Sequence, residues 1–421
     1  MRRILAQTFA VQSIGVALML GVTLMVSRLG GPDSQGSFAL VKSSVDLQVG
    51  LFSLGLPSAI VFLLNSTGRG HAAVYRYTLR YGLLLMLALP LLNFAILLGI
   101  DPGATATESA IRAAAIGLAS AWLTAFALLR GMLLVHTDGP VFSALSIFQW
   151  VVIAAVAVLL LNRGPYVFEF AYGLAGATSL ALMILCLRTY GGHGTRTNPI
   201  TGHAATVDGA DDIDWKILRA QSVHVLMQAV IFGLQPFLTN AALAAASDGI
   251  EQVGLFSIAS LVVTLPNLLV ALVAPVLFNR WSKSLQWSGM GQIRRNALLL
   301  GIAAQAIAIL AMPLVAPVIS LVFGQLFVGA TGATQILLLG TLPIIAGRIL
   351  TPALQGLGRT DFVTITCCLR LAVGAAAGAA MLVTASPPLI AMAAAWCIGE
   401  YAAFAAMLWR INRGEQTAPA H

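Results

Sequence analysis

The sequence predicts an all-α polytopic membrane protein: twelve transmembrane helices in two six-helix lobes around a central cavity. Three observations carry this. Hydrophobic residues make up 59% of the 421 positions and charged residues only 9%. Apolar runs near twenty residues recur along the whole chain. A single long polar stretch, Thr189 to Trp215, divides six runs from six.

A soluble domain of this length needs a charged surface that this composition does not supply. Mean hydropathy is +0.91. Each run is long enough to cross a hydrocarbon core of ~30 Å. Within lipid every backbone N–H and C=O must be paired internally, so such runs are helices; they alternate too weakly for barrel strands. The spans read as roughly 4–28, 37–65, 77–100, 109–134, 141–161, 166–188, 217–245, 253–279, 293–320, 331–356, 361–384 and 388–409. The first run is too long for a signal-peptide core and is followed by no clear small-x-small cleavage site, so it is expected to remain as the first span. The organisation is then an N-terminal six-helix lobe (1–188), a cytoplasmic linker (189–216), a C-terminal six-helix lobe (217–410) and a cytoplasmic tail (411–421).

The net charge of +8 reflects topology rather than nucleic-acid binding. One set of alternate loops collects Arg2, Arg3, Arg69, Arg76, Arg80, Arg130, Arg188, Arg196, Lys216, Arg219, Arg280, Lys283, Arg294, Arg295, Arg359, Arg410 and Arg413. The other set holds Arg28, Arg112 and Arg163. That bias places both termini and the linker in the cytoplasm. The outer loops are too short to house an enzyme. No phosphate-binding glycine loop with Lys-Ser/Thr occurs, and no His/Cys/Asp group has metal-ligand spacing, so neither a cofactor nor a metal is expected. Cys186, Cys367, Cys368 and Cys397 lie in apolar runs and read as small hydrophobes.

A weak internal repeat accompanies the six-plus-six division. Gly36-Ser-Phe-Ala-Leu40 opens the second span, and Gly254-Leu-Phe-Ser-Ile258 opens the eighth, 218 positions later. The same offset carries Arg76 onto Arg294. Both halves start on one side, so the repeat is parallel, about an axis along the membrane normal.

Polar residues inside spans are costly in lipid and are the candidates for function. Lys42 and Asp46 lie on one face of the second span, four apart. They read equally as a local ion pair or as a charged patch on an aqueous cavity. Arg348, Arg370 and Glu400 reach a similar depth in spans ten, eleven and twelve at ~1.5 Å per residue. Arg370 and Glu400 read as an intramembrane salt bridge, with ion coupling as the other use of such acids; Arg348 is the better substrate candidate. Span seven carries Gln221, His224, Gln228 and Gln235 on one stripe, followed by Pro236 and Asn240. Interhelical hydrogen bonding would explain such a stripe, but four amide and imidazole groups favour a cavity lined for water or sugar. Span one has a fainter stripe of Thr8, Gln12, Gly15 and Thr23. Pro57 and Pro266, within spans two and eight, imply a static bend or a hinge.

Several segments resemble one family. Arg28-Leu-Gly-Gly-Pro32 followed by Gly36-Ser-Phe-Ala-Leu40 resembles the connection between the first two spans of oligosaccharide flippases. Phe52-Ser-Leu-Gly-Leu-Pro-Ser-Ala59 resembles their second span, and Val253-Gly-Leu-Phe-Ser-Ile-Ala259 the start of their eighth. Leu321-Val-Phe-Gly-Gln-Leu-Phe327 and Leu354-Gln-Gly-Leu-Gly-Arg359 resemble the loop before the tenth span and the turn after it. Low in information singly, these segments occur in the family's order along nearly the whole chain. The family is the Wzx-type flippases of the multidrug/oligosaccharidyl-lipid/polysaccharide exporter (MOP) superfamily.

The resemblance implies a bacterial inner-membrane transporter working by alternating access. It flips a polyprenyl-diphosphate-linked oligosaccharide to the outer leaflet for cell-surface polysaccharide, lipopolysaccharide included. H⁺ or Na⁺ coupling and polysaccharide assembly proteins are further partners on this reading. Arg28 and Lys42 are the residues it offers to the diphosphate. The main rival is a cation-coupled multidrug exporter of the same superfamily, for which Asp46 is the available acid, although Arg28, Lys42 and Arg348 would repel a cationic drug. A membrane-embedded glycan ligase or polymerase needs larger outer loops than this chain has.

Overall fold

The first helix, α1, runs from Arg2 to Phe52 and contains one residue outside helical geometry, Gly31 (φ 70°, ψ −171°). Gly31 takes a backbone conformation that side chains disfavour, and Pro32 follows, with no N–H to leave unpaired at a helix start. The sequence thus ends one limb and begins another without a loop. The first two expected spans are the two limbs of α1, the second continued by α2 (Leu56–Thr67).

The computed structural model describes residues 2–67, 71–100, 105–136, 139–160, 166–191, 215–246, 249–262, 264, 287–357, 359–384 and 386–417. Among them no strand occurs. The remaining helices are α3 (His71–Ile100), α4 (Ala106–His136), α5 (Gly139–Leu160), α6 (Val167–Gly191), α7 (Trp215–Ala244), α8 (Gly249–Val262), α9 (Trp287–Ala311), α10 (Val315–Val322), α11 (Thr331–Leu339), α12 (Thr341–Gly356), α13 (Thr360–Val383) and α14 (Pro388–Thr417). Each of the twelve expected spans falls on helix where it is described; of the eighth, little beyond its start lies among the described residues. Among the described residues, eight helical segments are long and apolar enough to cross a membrane, nine if α11 and α12, bent by 49°, form one broken span; this count takes the two limbs of α1 as one. Segment 192–214 and Pro266 lie outside the described residues.

The outward faces are apolar. Leu83, Leu84, Leu87 and Leu91 on α3 are each at least 60% exposed, as are Leu310, Leu321 and Val383 elsewhere. Water would not tolerate such ridges, whereas lipid is their natural solvent.

Packing divides the chain into two compact units. One comprises Met1–Met25 with Val41–Gly233, the other Val26–Leu40 with Leu234–His421. The lobes expected from chain order (1–188 and 217–410) differ from these units. The bend of α1 belongs with the C-terminal residues, and the first half of α7 belongs with the N-terminal ones.

In the first unit α4 is central, flanked by α2, α3 and α6. Its core joins Leu56, Ile60 and Leu64 of α2 to Phe126, Leu129 and Leu133 of α4 and Met183 of α6. Small residues let backbones approach closely where hydrophobicity gives no drive for helices to associate. A Cβ on Gly117 would come within 2.6 Å of Pro90 Cα, and one on Gly131 within 2.7 Å of the Pro57 carbonyl oxygen. In the second unit α13 packs along α14 and α9 along α12, around a core that includes Leu255, Phe256, Phe327, Leu337, Ile344 and Leu389.

The bend expected at Pro57 is placed differently. The break after α1 falls at Leu54 (φ 54°) and Gly55 (φ 66°). Pro57 is the second residue of α2, where a missing N–H costs nothing. α7 continues through Pro236 rather than stopping there.

Candidate functional site

In the first unit, the second limb of α1 runs antiparallel to the first half of α7 at backbone contact. A Cβ on Gly233 would lie 2.9 Å from Leu47 Cα, one on Gly50 would lie 3.1 Å from the Ala229 carbonyl oxygen, and one on Gly55 would lie 2.7 Å from Leu226 N. Three glycines thus zip the two helices together. The pair carries half of the polar candidates. Lys42 and Asp46 form an i, i+4 ion pair whose side chains are 36% and 52% exposed, and because charged groups on a spanning limb avoid hydrocarbon, that exposure is to an aqueous space. His224 and Gln228, one turn apart on α7, are half-buried. The Gln221 side chain lies outside the described residues.

Two polar features of this unit escaped the sequence reading. Gln48 and Asn93 exchange a pair of amide hydrogen bonds between α1 and α3 (2.9 and 3.1 Å), and Asn93 also donates to the Leu89 carbonyl (2.8 Å). An Asn inside the leucine-rich α3 was the available signal. Arg112, counted among the outer-loop cations, lies within α4; its Nε stands 3.5 Å from the Glu169 carboxylate of α6, and its guanidinium covers the Tyr166 ring. Glu169 is only 4% exposed, a cost in lipid that the pairing offsets.

In the second unit, Arg370 of α13 donates to Glu400 of α14 at 3.2 Å, and the two side chains are 7% and 11% exposed. The helices meet here because Gly399 lies against the Arg370 backbone, where a Cβ would sit 2.6 Å from its carbonyl oxygen. Arg348 of α12 is within electrostatic range of both members. The cluster holds two guanidiniums to one carboxylate. Gln235 and Asn240, the later part of the α7 stripe, are buried in this unit, and Asn240 reaches the Ala39 carbonyl (3.4 Å). The stripe read as continuous on the sequence is therefore shared between two units.

Arg28 is also in the second unit. Its Nε donates to the Val322 carbonyl (2.7 Å) and its Nη2 to that of Leu321, the last residues of α10. A guanidinium there completes orphan carbonyls and faces the negative end of the helix dipole. Lys42 is in the first unit, so the structure does not bring Arg28 and Lys42 together in one of its compact bodies.

No family profile matches the sequence, and neither does any curated protein. Solved structures do match. An inward-facing multidrug resistance MATE family transporter of the MOP superfamily is 14% identical, with a TM-score of 0.71 over 99% of this chain and 100% of that one. An outward-facing MATE family transporter gives 0.65 at 15% identity, covering 99% and 97%. A MOP superfamily transporter from Pyrococcus furiosus, described as having a binding pocket of reverse polarity that suggests a different function, gives 0.66 at 16% identity, covering 98% and 96%. At these identities the likeness establishes the fold. Among the described residues this chain has the helical architecture of those solved transporters, with spans long and apolar enough to cross a membrane.

Proposed function

We propose that this chain is a cation-coupled exporter of the MOP superfamily that works by alternating access on amphipathic organic molecules. The carrying observation is the match, end to end, to both inward- and outward-facing MATE family transporters. Two of the three charges that the sequence sets against a cationic cargo are engaged within the chain. Lys42 is paired with Asp46, and Arg28 lies on the carbonyl end of α10; the third, Arg348, stands near the Arg370–Glu400 pair. Asp46 supplies the exchangeable acid. It is water-accessible, it stands on a membrane-crossing limb, and a cation or proton binding it would compete with Lys42.

A second reading, a flippase for polyprenyl-diphosphate-linked oligosaccharide serving cell-surface polysaccharide, rests on the ordered motifs from Arg28-Leu-Gly-Gly-Pro32 to Leu354-Gln-Gly-Leu-Gly-Arg359. On this reading Lys42, His224 and Gln228, all in the first unit, meet the diphosphate and sugars.

Reconstituted proteoliposomes separate the two. Under an imposed H⁺ or Na⁺ gradient the protein is expected to move ethidium, and Asp46→Asn is expected to abolish the gradient dependence. Gradient-independent behaviour toward ethidium, together with flipping of a fluorescent polyprenyl-diphosphate disaccharide, would replace the first reading by the second.

A further inference from the structure

Val26–Leu40 is flanked on both sides by residues of the first unit, yet it packs wholly in the second. Four independent anchors hold it there. Arg28 grips the last carbonyls of α10. Gln35, 1% exposed, accepts from Ser27 Oγ (3.2 Å) and donates to Ser257 Oγ of α8 (2.6 Å), so both ends of its amide are used. Asn240 of α7 donates to the Ala39 carbonyl.

The fourth anchor is a crossing of α1 and α8 at backbone contact. A Cβ on Gly36 would overlap the Ile250 carbonyl, and a Cβ on Gly254 would overlap the Pro32 carbonyl and lie 3.1 Å from Gly36 N. Gly254 and Ile250 follow Gly36 and Pro32 by the same 218 positions. Each contact is therefore the image of the other under the sequence repeat. The repeat, weak as a pattern of letters, packs against itself about a local two-fold axis, with a glycine of each copy on the carbonyl four residues before its counterpart.

We infer that Val26–Leu40 is a detachable latch, closed in one transport state by this self-complementary crossing and open in the other. The inference rests on the alternating-access reading. Its physical basis is the composition of the seam. A glycine-on-carbonyl crossing has high steric specificity because the backbones themselves meet, so it can part and re-form in one register. The polar anchors are few, made by Arg28, Gln35 and the Ala39 carbonyl. Within the latch the helix is already broken at Gly31, whose backbone lies outside helical geometry.

Labelling with an impermeant maleimide in nanodiscs, which expose both faces, tests the latch without reference to cargo. The reporter is Ala39→Cys, a buried position of the latch, in a background carrying Cys186→Ala, Cys367→Ala, Cys368→Ala and Cys397→Ala. Gly36→Ala and Gly254→Ala are each expected to raise the labelling rate about tenfold, the factor that ~1.4 kcal/mol of docking free energy represents. Because both substitutions break one shared contact, the double variant should label no faster than either single one. Gly21→Ala, on the same helix with open space around it, should change nothing. Unchanged labelling in folded, monodisperse Gly36→Ala and Gly254→Ala proteins would overturn the latch, as would an equal rise in Gly21→Ala.

A second arm covers variants that fail to fold. Oxidising Gln35→Cys with Ser257→Cys should shut the latch and stop movement of both ethidium and the fluorescent lipid-linked disaccharide, with recovery on reduction. Full transport by the cross-linked protein refutes the latch. Absence of transport in the reduced protein bears on the transport reading instead, leaving the labelling result to decide the latch.

Discussion

The two units each hold an ion pair on membrane-crossing helices, and the pairs differ in their access to water. Lys42–Asp46 is a one-turn pair along a single helix, with side chains 36% and 52% exposed. Arg370–Glu400 joins two helices at 7% and 11% exposure. An ion pair in contact with water contributes little to stability and can exchange its partners cheaply. A dry pair is nearly a structural bond, because either charge left alone would be stranded. Opposite charges in spans look alike as letters; solvent separates a group able to take part in a transport cycle from one that holds helices together.

Breaking the dry pair should have the largest effect. Glu400→Gln is expected to cost ~3–5 kcal/mol by leaving Arg370 uncompensated. It should show as a lowered melting temperature in detergent and a reduced yield of folded protein. Adding Arg370→Gln should recover part of the loss; a double variant worse by the sum of both single ones would disprove the coupling.

The close approach that brings that pair together can be attacked directly. Gly399→Ala would push a methyl into the Arg370 carbonyl and is expected to cost ~1–3 kcal/mol through overpacking. Thermal unfolding would detect it, and wild-type stability would mean that α13 and α14 separate more easily than their packing implies.

A neutral polar contact makes an intermediate case. Asn93→Ala leaves Gln48 without its reciprocal amide and should cost ~1–3 kcal/mol, with Gln48→Leu added to it restoring much of the loss. No rescue by the second substitution would mean that the cost lies in lost packing rather than in an unsatisfied amide.

The wet pair should matter least for stability. Asp46→Asn and Lys42→Gln are each expected to shift unfolding by no more than ~0–1 kcal/mol. Asp46→Asn nevertheless should remove the ion-gradient dependence of transport in proteoliposomes. A large loss of stability here would place Lys42–Asp46 with the structural pair and remove Asp46 from the coupling role.

Much of this was legible in the sequence, for a physical reason. A run of about twenty apolar residues in lipid satisfies its own backbone, so the position and type of each span follow from local composition alone. The helical breaks are local too. Gly31-Pro32 and Leu54-Gly55 act through their own backbone torsions. The shared depth of Arg370 and Glu400 is simple counting along adjacent helices, which is why those two residues were found together. Arg28 and the α7 stripe were different. Arg28 is bound to carbonyls 293 and 294 positions away, and Gln35 to a hydroxyl 222 positions away. Nothing within a helical turn of these residues records such partners. The helices were thus determined by the sequence through short-range backbone satisfaction. The partition of Val26–Leu40 into the C-terminal unit, the self-contact of the repeat and the difference between a wet and a dry ion pair depend on which surfaces meet. Only the tertiary structure decided those, because steric fit and exclusion of solvent are properties of assembled surfaces and not of any segment alone.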